Sequence, residues 1–205
     1  MTKIKICGLS RIEDIQYCNE LKPDYIGFIL NFPKSKRNIS FDKAKELKSN
    51  LDDNIKAVGV FVNDDISTIA DFCNKNIIDI VQLHGNEDAN YILKLKSIID
   101  KPITKAIRVK SAEEISLADA LPCDYLLLDT YISNMVGGSG KTFDWSIIPK
   151  ISKPFFLAGG LNFENISNAI DVCNPYAVDV SSSVEDGDYK SYDKIKEFIS
   201  IVKNT

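Results

Sequence analysis

The chain has 205 residues, with one histidine, one tryptophan and two methionines. A metal centre needs several His, Cys, Asp or Glu side chains at ligand spacing. The sequence offers no such cluster, so no metal is expected. The five cysteines, Cys7, Cys18, Cys73, Cys123 and Cys173, are odd in number and form no CxxC pair. That excludes a disulfide framework and a zinc knuckle, and fits reduced thiols in a cytoplasmic protein. No run of Lys or Arg stands out, and 25 basic against 29 acidic residues leave a net charge of −4. Binding to nucleic acid or to an anionic membrane surface needs a cationic face, so neither partner is expected. No apolar run approaches the roughly 20 residues of a membrane span. The opening MTKIKICGLSRIED lacks the apolar stretch of a signal peptide.

A hydrophobic share of 44% and a charged share of 26% mark a globular chain, not a disordered one. The length suits one domain over 1–205. Short β-rich apolar runs recur at Lys3–Cys7, Tyr25–Leu30, Ile55–Val62, Asp79–Leu83, Ile103–Val109, Tyr125–Asp129, Pro154–Ala158 and Ala177–Val180. Most lack polar alternation, which reads as parallel strands covered on both faces. Helical stretches with start signals lie between them. Ser10-Arg-Ile-Glu13 and Ser111-Ala-Glu-Glu114 have capping-box spacing. Ser40, Asp64 or Asp65, Asn86 and Asn162 stand before further helices, and Ile195, Phe198, Ile199 and Val202 form one apolar face near the end. Eight strand–helix units at about a 25-residue beat predict the α/β class and a single-domain (β/α)8 (TIM) barrel. A doubly wound open sheet is the alternative.

In such a barrel, function gathers at the C-terminal ends of the strands. The unusual residues fall there. Cys7 ends the first run, and Pro33–Arg37 follows the second. His84-Gly85 follows the fourth, Asp129 ends the sixth, Gly159-Gly160 follows the seventh and Ser181–Ser183 the eighth. Glycine turns running into a helix start let backbone amides approach an anion, so Gly159, Gly160, Ser181 and Ser182 are candidates for holding a phosphate. Gly138-Ser-Gly-Lys-Thr142 resembles a nucleotide P-loop but has Met at 135 where that motif needs Gly. Gly138 and Gly140 fit a loop lying over a ligand better. Cys7 is the one thiol at the rim, where a turn and a helix start could favour the thiolate. A carboxyl at the edge of an apolar interior, as Asp129 is, is favoured in its neutral form and can serve as an acid. His84 and Arg37 have bland readings too, as a hydrogen-bonding residue and a surface cation.

Taken in order, KICG at Lys5–Gly8, Ser35-Lys-Arg37, VGVFV at Val58–Val62, VQLHG at Val81–Gly85, LLLD at Leu126–Asp129, GGSGKTFDW at Gly137–Trp145, LAGGL at Leu157–Leu161 and DVSSSVE at Asp179–Glu185 resemble the phosphoribosylanthranilate isomerase family over nearly the whole chain. The resemblance implies a (β/α)8 barrel and a cofactor-free Amadori rearrangement in tryptophan biosynthesis. The substrate would be a small phosphorylated sugar, N-(5-phosphoribosyl)anthranilate, and the enzyme a monomer or homodimer. It implies Cys7 as general base, Asp129 as general acid and Arg37 facing the anthranilate carboxylate. His84, Asp179, Gly138 and Gly140 would line the substrate, with Gly159, Gly160, Ser181 and Ser182 around its phosphate. Three departures stand out. Lys36 replaces a usual Pro, which would loosen the turn that aims Arg37. Ser183 replaces a usual Gly, which would be strained if the position needs a positive φ. Ser139 replaces a usual Thr. The related histidine-pathway isomerase has Asp where this chain has Cys7, and a phosphate-binding barrel without catalysis would not need both Cys7 and Asp129.

Overall fold

A computed structural model of the chain describes residues 1–130 and 142–205. Eight parallel strands carry the fold: β1 (Lys3–Cys7), β2 (Tyr25–Leu30), β4 (Lys56–Phe61), β5 (Ile80–Leu83), β6 (Ile103–Val109), β7 (Tyr125–Thr130), β8 (Phe155–Leu157) and β9 (Ala177–Val180). Each pairs with the next, and β1 pairs with both β9 and β2, so the sheet closes on itself. The open-sheet alternative is thereby excluded. A two-residue strand β3 (Asn38–Ile39) extends β2 at its end, and a hairpin of β10 (Glu185–Asp186) and β11 (Tyr189–Lys190) stands beyond β9.

The helices are α1 (Ile12–Leu21), α2 (Phe41–Ser49), α3 (Ile66–Asn74), α4 (Ala89–Lys96), α5 (Ala112–Asp119), α6 (Ile166–Cys173) and α7 (Tyr192–Asn204). Ser40 and Ser111 cap α2 and α5 by accepting from the Lys43 and Glu114 amides at 3.2 and 3.3 Å. Three starts differ from the sequence signals, for local reasons. The Ser10/Glu13 box does not form, because Asp14 reaches back to the Ser10 and Arg11 amides at 2.9 and 3.0 Å and α1 begins after Arg11. Asp88, not Asn86, caps α4 by accepting from the Tyr91 amide at 2.8 Å. Asn162 spends its carboxamide oxygen on the Glu164 and Asn165 amides, which makes a turn there and delays α6 to Ile166. An eightfold beat also predicts a helix after β7. Among the described residues a single 3-10 turn at Trp145–Ile147 stands there, packed against α6.

Strand alternation sorts every side chain into one of two compartments. Ile4, Ile6, Val81, Leu83, Leu126, Leu128, Val178 and Val180 face outward into the apolar layer beneath the helices. The opposite parity fills the barrel interior with Tyr25, Val58, Ile80, Ala106, Leu127, Phe156 and Ala177. Tyr25, Tyr125, Tyr176 and Phe156 plug the end where the strands begin, with Lys3 donating to the Tyr176 hydroxyl at 2.9 Å. The polar residues of that same inward parity, nearer the strands' C-terminal ends, make the site.

Candidate active site at the C-terminal rim

Lys3, Lys5 and Cys7 share the inward face of β1, one above another. Lys5 is fully buried in mid-barrel. Its ammonium donates to Asp179 Oδ2 and to Gln82 Oε1, both at 2.8 Å, and lies 3.5 Å from Cys7 Sγ. Asp179 stands beside Lys5 in the register of β9 against β1. Gln82 Nε2 lies 3.0 Å from His84 Nδ1, and His84 Nε2 lies 3.3 Å from Asp129 Oδ2. One polar string therefore runs Cys7–Lys5–Gln82–His84–Asp129, with Asp179 attached at Lys5. Four residues that stand far apart in the sequence, Cys7, His84, Asp129 and Asp179, meet at one end of the barrel.

The charges in this string depend on burial. Burial pushes the Cys7 thiol up, against the pull of Lys5 and Lys190. Burial likewise raises Asp179, with Lys5 opposing. Burial works against the Lys5 charge, but Asp179 and Cys7 outweigh it and hold the ammonium above its ordinary value. Asp179 Oδ1 is buried with no partner among the described residues.

Two glycines make room for the Cys7 and Asp129 side chains. A Cβ built on Gly27, which pairs with Cys7 across β1 and β2, would fall 2.6 Å from the Cys7 sulfur. A Cβ on Gly159 would fall 2.6 Å from Asp129 Oδ1, and Gly159 also has φ +82°. The turn at Gly159 and Gly160, both at positive φ, thus admits Asp129 as well as exposing amides. The amides of Gly159 and Gly160 donate to no acceptor among the described residues.

The neighbouring turn after β9 is already well tied. Ser181 Oγ donates to the Cys7 carbonyl at 2.9 Å and receives Lys190 Nζ at 3.2 Å, and Ser182 opens a 3-10 turn. Ser183 is not at positive φ, so the expected strain is absent. Its hydroxyl instead donates to the Leu161 carbonyl at 2.7 Å and clips the β8 and β9 turns together.

Arg37 reaches the rim from the β2 side and lies over Gly8. Its guanidinium forks onto Glu185, Nε to Oε1 at 2.5 Å and Nη2 to Oε2 at 2.7 Å. Burial opposes the Glu185 charge, but Arg37 and Lys190 hold its carboxyl below the usual range. Without Pro, the Arg37 turn is tied by side-chain hydrogen bonds. Asn38 Oδ1 accepts the Phe32 amide at 2.7 Å, Ser35 Oγ accepts the Arg37 amide at 3.2 Å, and Lys36 binds Asp188 at 2.6 Å. A buried pair of Lys105 and Glu87, 2.7 Å apart, pins the His84-Gly85 turn, with Glu87 accepting from the Gly85 amide at 2.9 Å. A cavity of about 430 Å³ opens beside that turn over Arg108 and α5, meeting the polar string at His84.

Gly138 and Gly140 lie outside the described residues. The sequence reading passed over Lys5, Gln82, Glu185 and Lys190, although three of them stand inside the quoted motifs. A signal was available. Lys5 and Gln82 are polar interruptions of runs that both-face burial should make apolar, and they share the parity of Cys7 and His84.

Fold and rim together define a (β/α)8-barrel enzyme with a thiol, an imidazole and two carboxyl groups beside an amide-lined turn. The family described as N-(5'-phosphoribosyl)anthranilate (PRA) isomerase matches residues 4–201. An N-(5'-phosphoribosyl)anthranilate isomerase of Endomicrobium trichonymphae is 50% identical over 204 residues, covering 100% of both chains. The crystal structure of phosphoribosyl anthranilate isomerase from Thermotoga maritima superposes with a TM-score of 0.88 at 37% identity, covering 100% of each chain. A structure of such an isomerase in complex with reduced 1-(o-carboxyphenylamino)-1-deoxyribulose 5-phosphate has a TM-score of 0.83 at 34% identity, again over 100% of each. The chain belongs to the phosphoribosylanthranilate isomerase family. Among the described residues no helix is long and apolar enough to cross a membrane.

Proposed function

We propose that Cys7 is the general base and Asp129 the general acid in the conversion of N-(5-phosphoribosyl)anthranilate to 1-(2-carboxyphenylamino)-1-deoxyribulose 5-phosphate, the isomerase step of this family in tryptophan biosynthesis. Asp129 gives its proton to the ring oxygen as the C1′–O bond breaks, and the nitrogen lone pair forms the C1′=N⁺ bond. That cation makes the C2′ hydrogen acidic. Cys7, acting as thiolate, removes it, and the released electron pair forms C1′=C2′ and neutralises the nitrogen. The enolamine then becomes the ketone, C1′ gaining a proton and the C2′ hydroxyl losing one, so substrate and product are isomers. A positioned acid or base is typically worth about 10²–10⁴ in rate.

The amides at Gly159 and Gly160, with Ser181 and Ser182, receive the phosphate and so orient the reacting carbons. Arg37 meets the anthranilate carboxylate while still tethered by Glu185. His84 and Asp179 line the sugar, with Asp179 Oδ1 accepting from a hydroxyl. The observation that carries the reading is the single polar string at one rim, hydrogen-bonded from Cys7 through Lys5 and Gln82 to His84, whose Nε2 lies 3.3 Å from Asp129. The chain acts as one barrel domain over 1–205, in the cytoplasm, as a monomer or homodimer, which sedimentation decides.

The test is turnover of freshly made substrate followed by its fluorescence. Cys7→Ser and Asp129→Asn should each lower kcat by at least about 10²-fold with unchanged circular dichroism. Retention of most activity by either variant removes that residue from its role.

A further inference from the structure

Lys5, Gln82 and His84 take no part in the proton transfers above, yet they fill the space between the two groups that do. Lys5 and Gln82 are 0% and 2% exposed, so water does not satisfy them and every hydrogen bond must be made by a neighbour. Their donor and acceptor chemistry then leaves one arrangement. An ammonium only donates. Lys5, 2.8 Å from the Gln82 carboxamide, therefore requires the carboxamide oxygen on its side. That turns the Gln82 NH2 toward His84 Nδ1, 3.0 Å away. An NH2 group only donates, so Nδ1 must offer a lone pair. A neutral imidazole with a bare Nδ1 carries its hydrogen on Nε2. Nε2 is the atom that faces Asp129 Oδ2 at 3.3 Å. Turning the carboxamide over would set NH2 against ammonium and leave the string broken at its buried head.

We propose that Gln82 is a positioning residue that locks His84 in its Nε2–H form, with buried Lys5 as the fixed head of a donor string that ends on Asp129. The consequence for the acid is specific. With hydrogen on Nε2, the ring presents a donor toward Asp129 Oδ2, 3.3 Å away, and has no lone pair there to accept from it, so a proton on Asp129 is turned toward the ligand. In the opposite tautomer the Nε2 lone pair would face the carboxyl and take its hydrogen bond, withdrawing the proton from the ring oxygen it must reach. The other carboxyl oxygen, Oδ1, is already held by the Thr130 amide at 2.8 Å. The string thus fixes which edge of Asp129 is reactive. The same Lys5 that orients Gln82 also touches the Cys7 sulfur, so one buried cation organises both ends of the reaction. The catalytic meaning rests on the roles proposed above for Cys7 and Asp129, whereas the tautomer does not depend on them.

His84 is the single histidine of the chain, so the intact protein labelled with ¹⁵N-histidine reports one imidazole. Two-bond ¹H–¹⁵N correlation spectra under mildly alkaline conditions should show hydrogen on Nε2 and a bare Nδ1. Gln82→Glu keeps the shape and an acceptor for Lys5 but presents an acceptor to Nδ1, and should move the hydrogen to Nδ1. Gln82→Met removes both partners and should give mixed tautomers. Both variants should lose about 10- to 100-fold in kcat with KM within about threefold, the pattern of a misaligned reacting group. Hydrogen on Nδ1 in the unaltered chain, or hydrogen on both nitrogens, overturns the proposal. So does an unchanged ring in folded Gln82→Glu, or an altered ring with undiminished kcat. Failure of the Cys7 and Asp129 roles is read separately, from activity surviving in Cys7→Ser or Asp129→Asn while the ring spectrum stands.

Discussion

Replacing Gly27 with alanine adds one methyl group directly against the Cys7 sulfur. The new Cβ would fall 2.6 Å from Cys7 Sγ, 3.2 Å from Cys7 Cα and 3.3 Å from its Cβ. Favourable heavy-atom contact begins near 3.5–4.0 Å, so the sulfur must retreat by about 1 Å. The two strands are locked in register through Cys7 and Gly27, with the Gly8 and Leu9 amides both on the Gly27 carbonyl at 2.8 and 3.0 Å, so the backbone offers little relief. A misplacement of about 1 Å at a reacting atom can cost about 10²-fold in rate. Gly27 is not among the positive-φ glycines, so the chain itself accepts alanine, and overpacking should cost only about 1–3 kcal/mol. The expected result is a folded protein with kcat down by about 10²-fold, KM little changed, and slower reaction of Cys7 with a thiol reagent. The assay is steady-state turnover beside a thermal melt and a thiol-modification time course. A folded Gly27→Ala protein that keeps more than half its turnover would show that the thiol has no critical placement, and the base assignment would fall with it.

Arg37→Ala should raise KM more than it lowers kcat in the same assay, because it removes a carboxylate-binding fork and not a proton carrier; a reversed split would move Arg37 out of the binding role. Ser183→Gly should lower stability by about 1 kcal/mol in urea titrations, through loss of the hydroxyl that clips the two turns. No change would mean the clip carries no weight. The depressed Glu185 carboxyl implies a stability that is present above its unfolded value of about 4.3 and lost as pH falls through its lower folded value. Chemical denaturation from pH 6 downward should therefore show a steeper acid loss in the unaltered protein than in Glu185→Gln, and equal slopes would contradict the pairing.

The barrel was legible in the sequence because its signals are local. Apolar runs at a regular beat mark covered parallel strands, and the runs Lys3–Cys7, Tyr25–Leu30, Ile103–Val109 and Ala177–Val180 coincide with the strands residue for residue. Helix starts were less legible. Whether Ser10 or Asp14 captures the first amides is a contest between side chains one turn apart, and the winner depends on where the chain arrives from β1. The expected strain at Ser183 is absent because its φ is not positive, and the turn at Lys36 is tied by partners that only the tertiary structure brings near, Asp188 among them.

By itself the sequence determined the alternation that sends Lys5, Cys7, Gln82, His84, Asp129 and Asp179 inward, since side-chain parity along a strand is fixed once the strand exists. It also determined that a thiol and a carboxyl stand at strand ends. Only the tertiary structure decided which inward residues touch, because that depends on barrel closure and on the register of each strand against the next. Closure joins β1 to β9 and so sets Lys5 against Asp179, and it brings Gln82 across the barrel to the same ammonium. Burial and neighbouring charge then shifted Cys7, Asp179 and Lys5, which no reading of residue types along a line can supply.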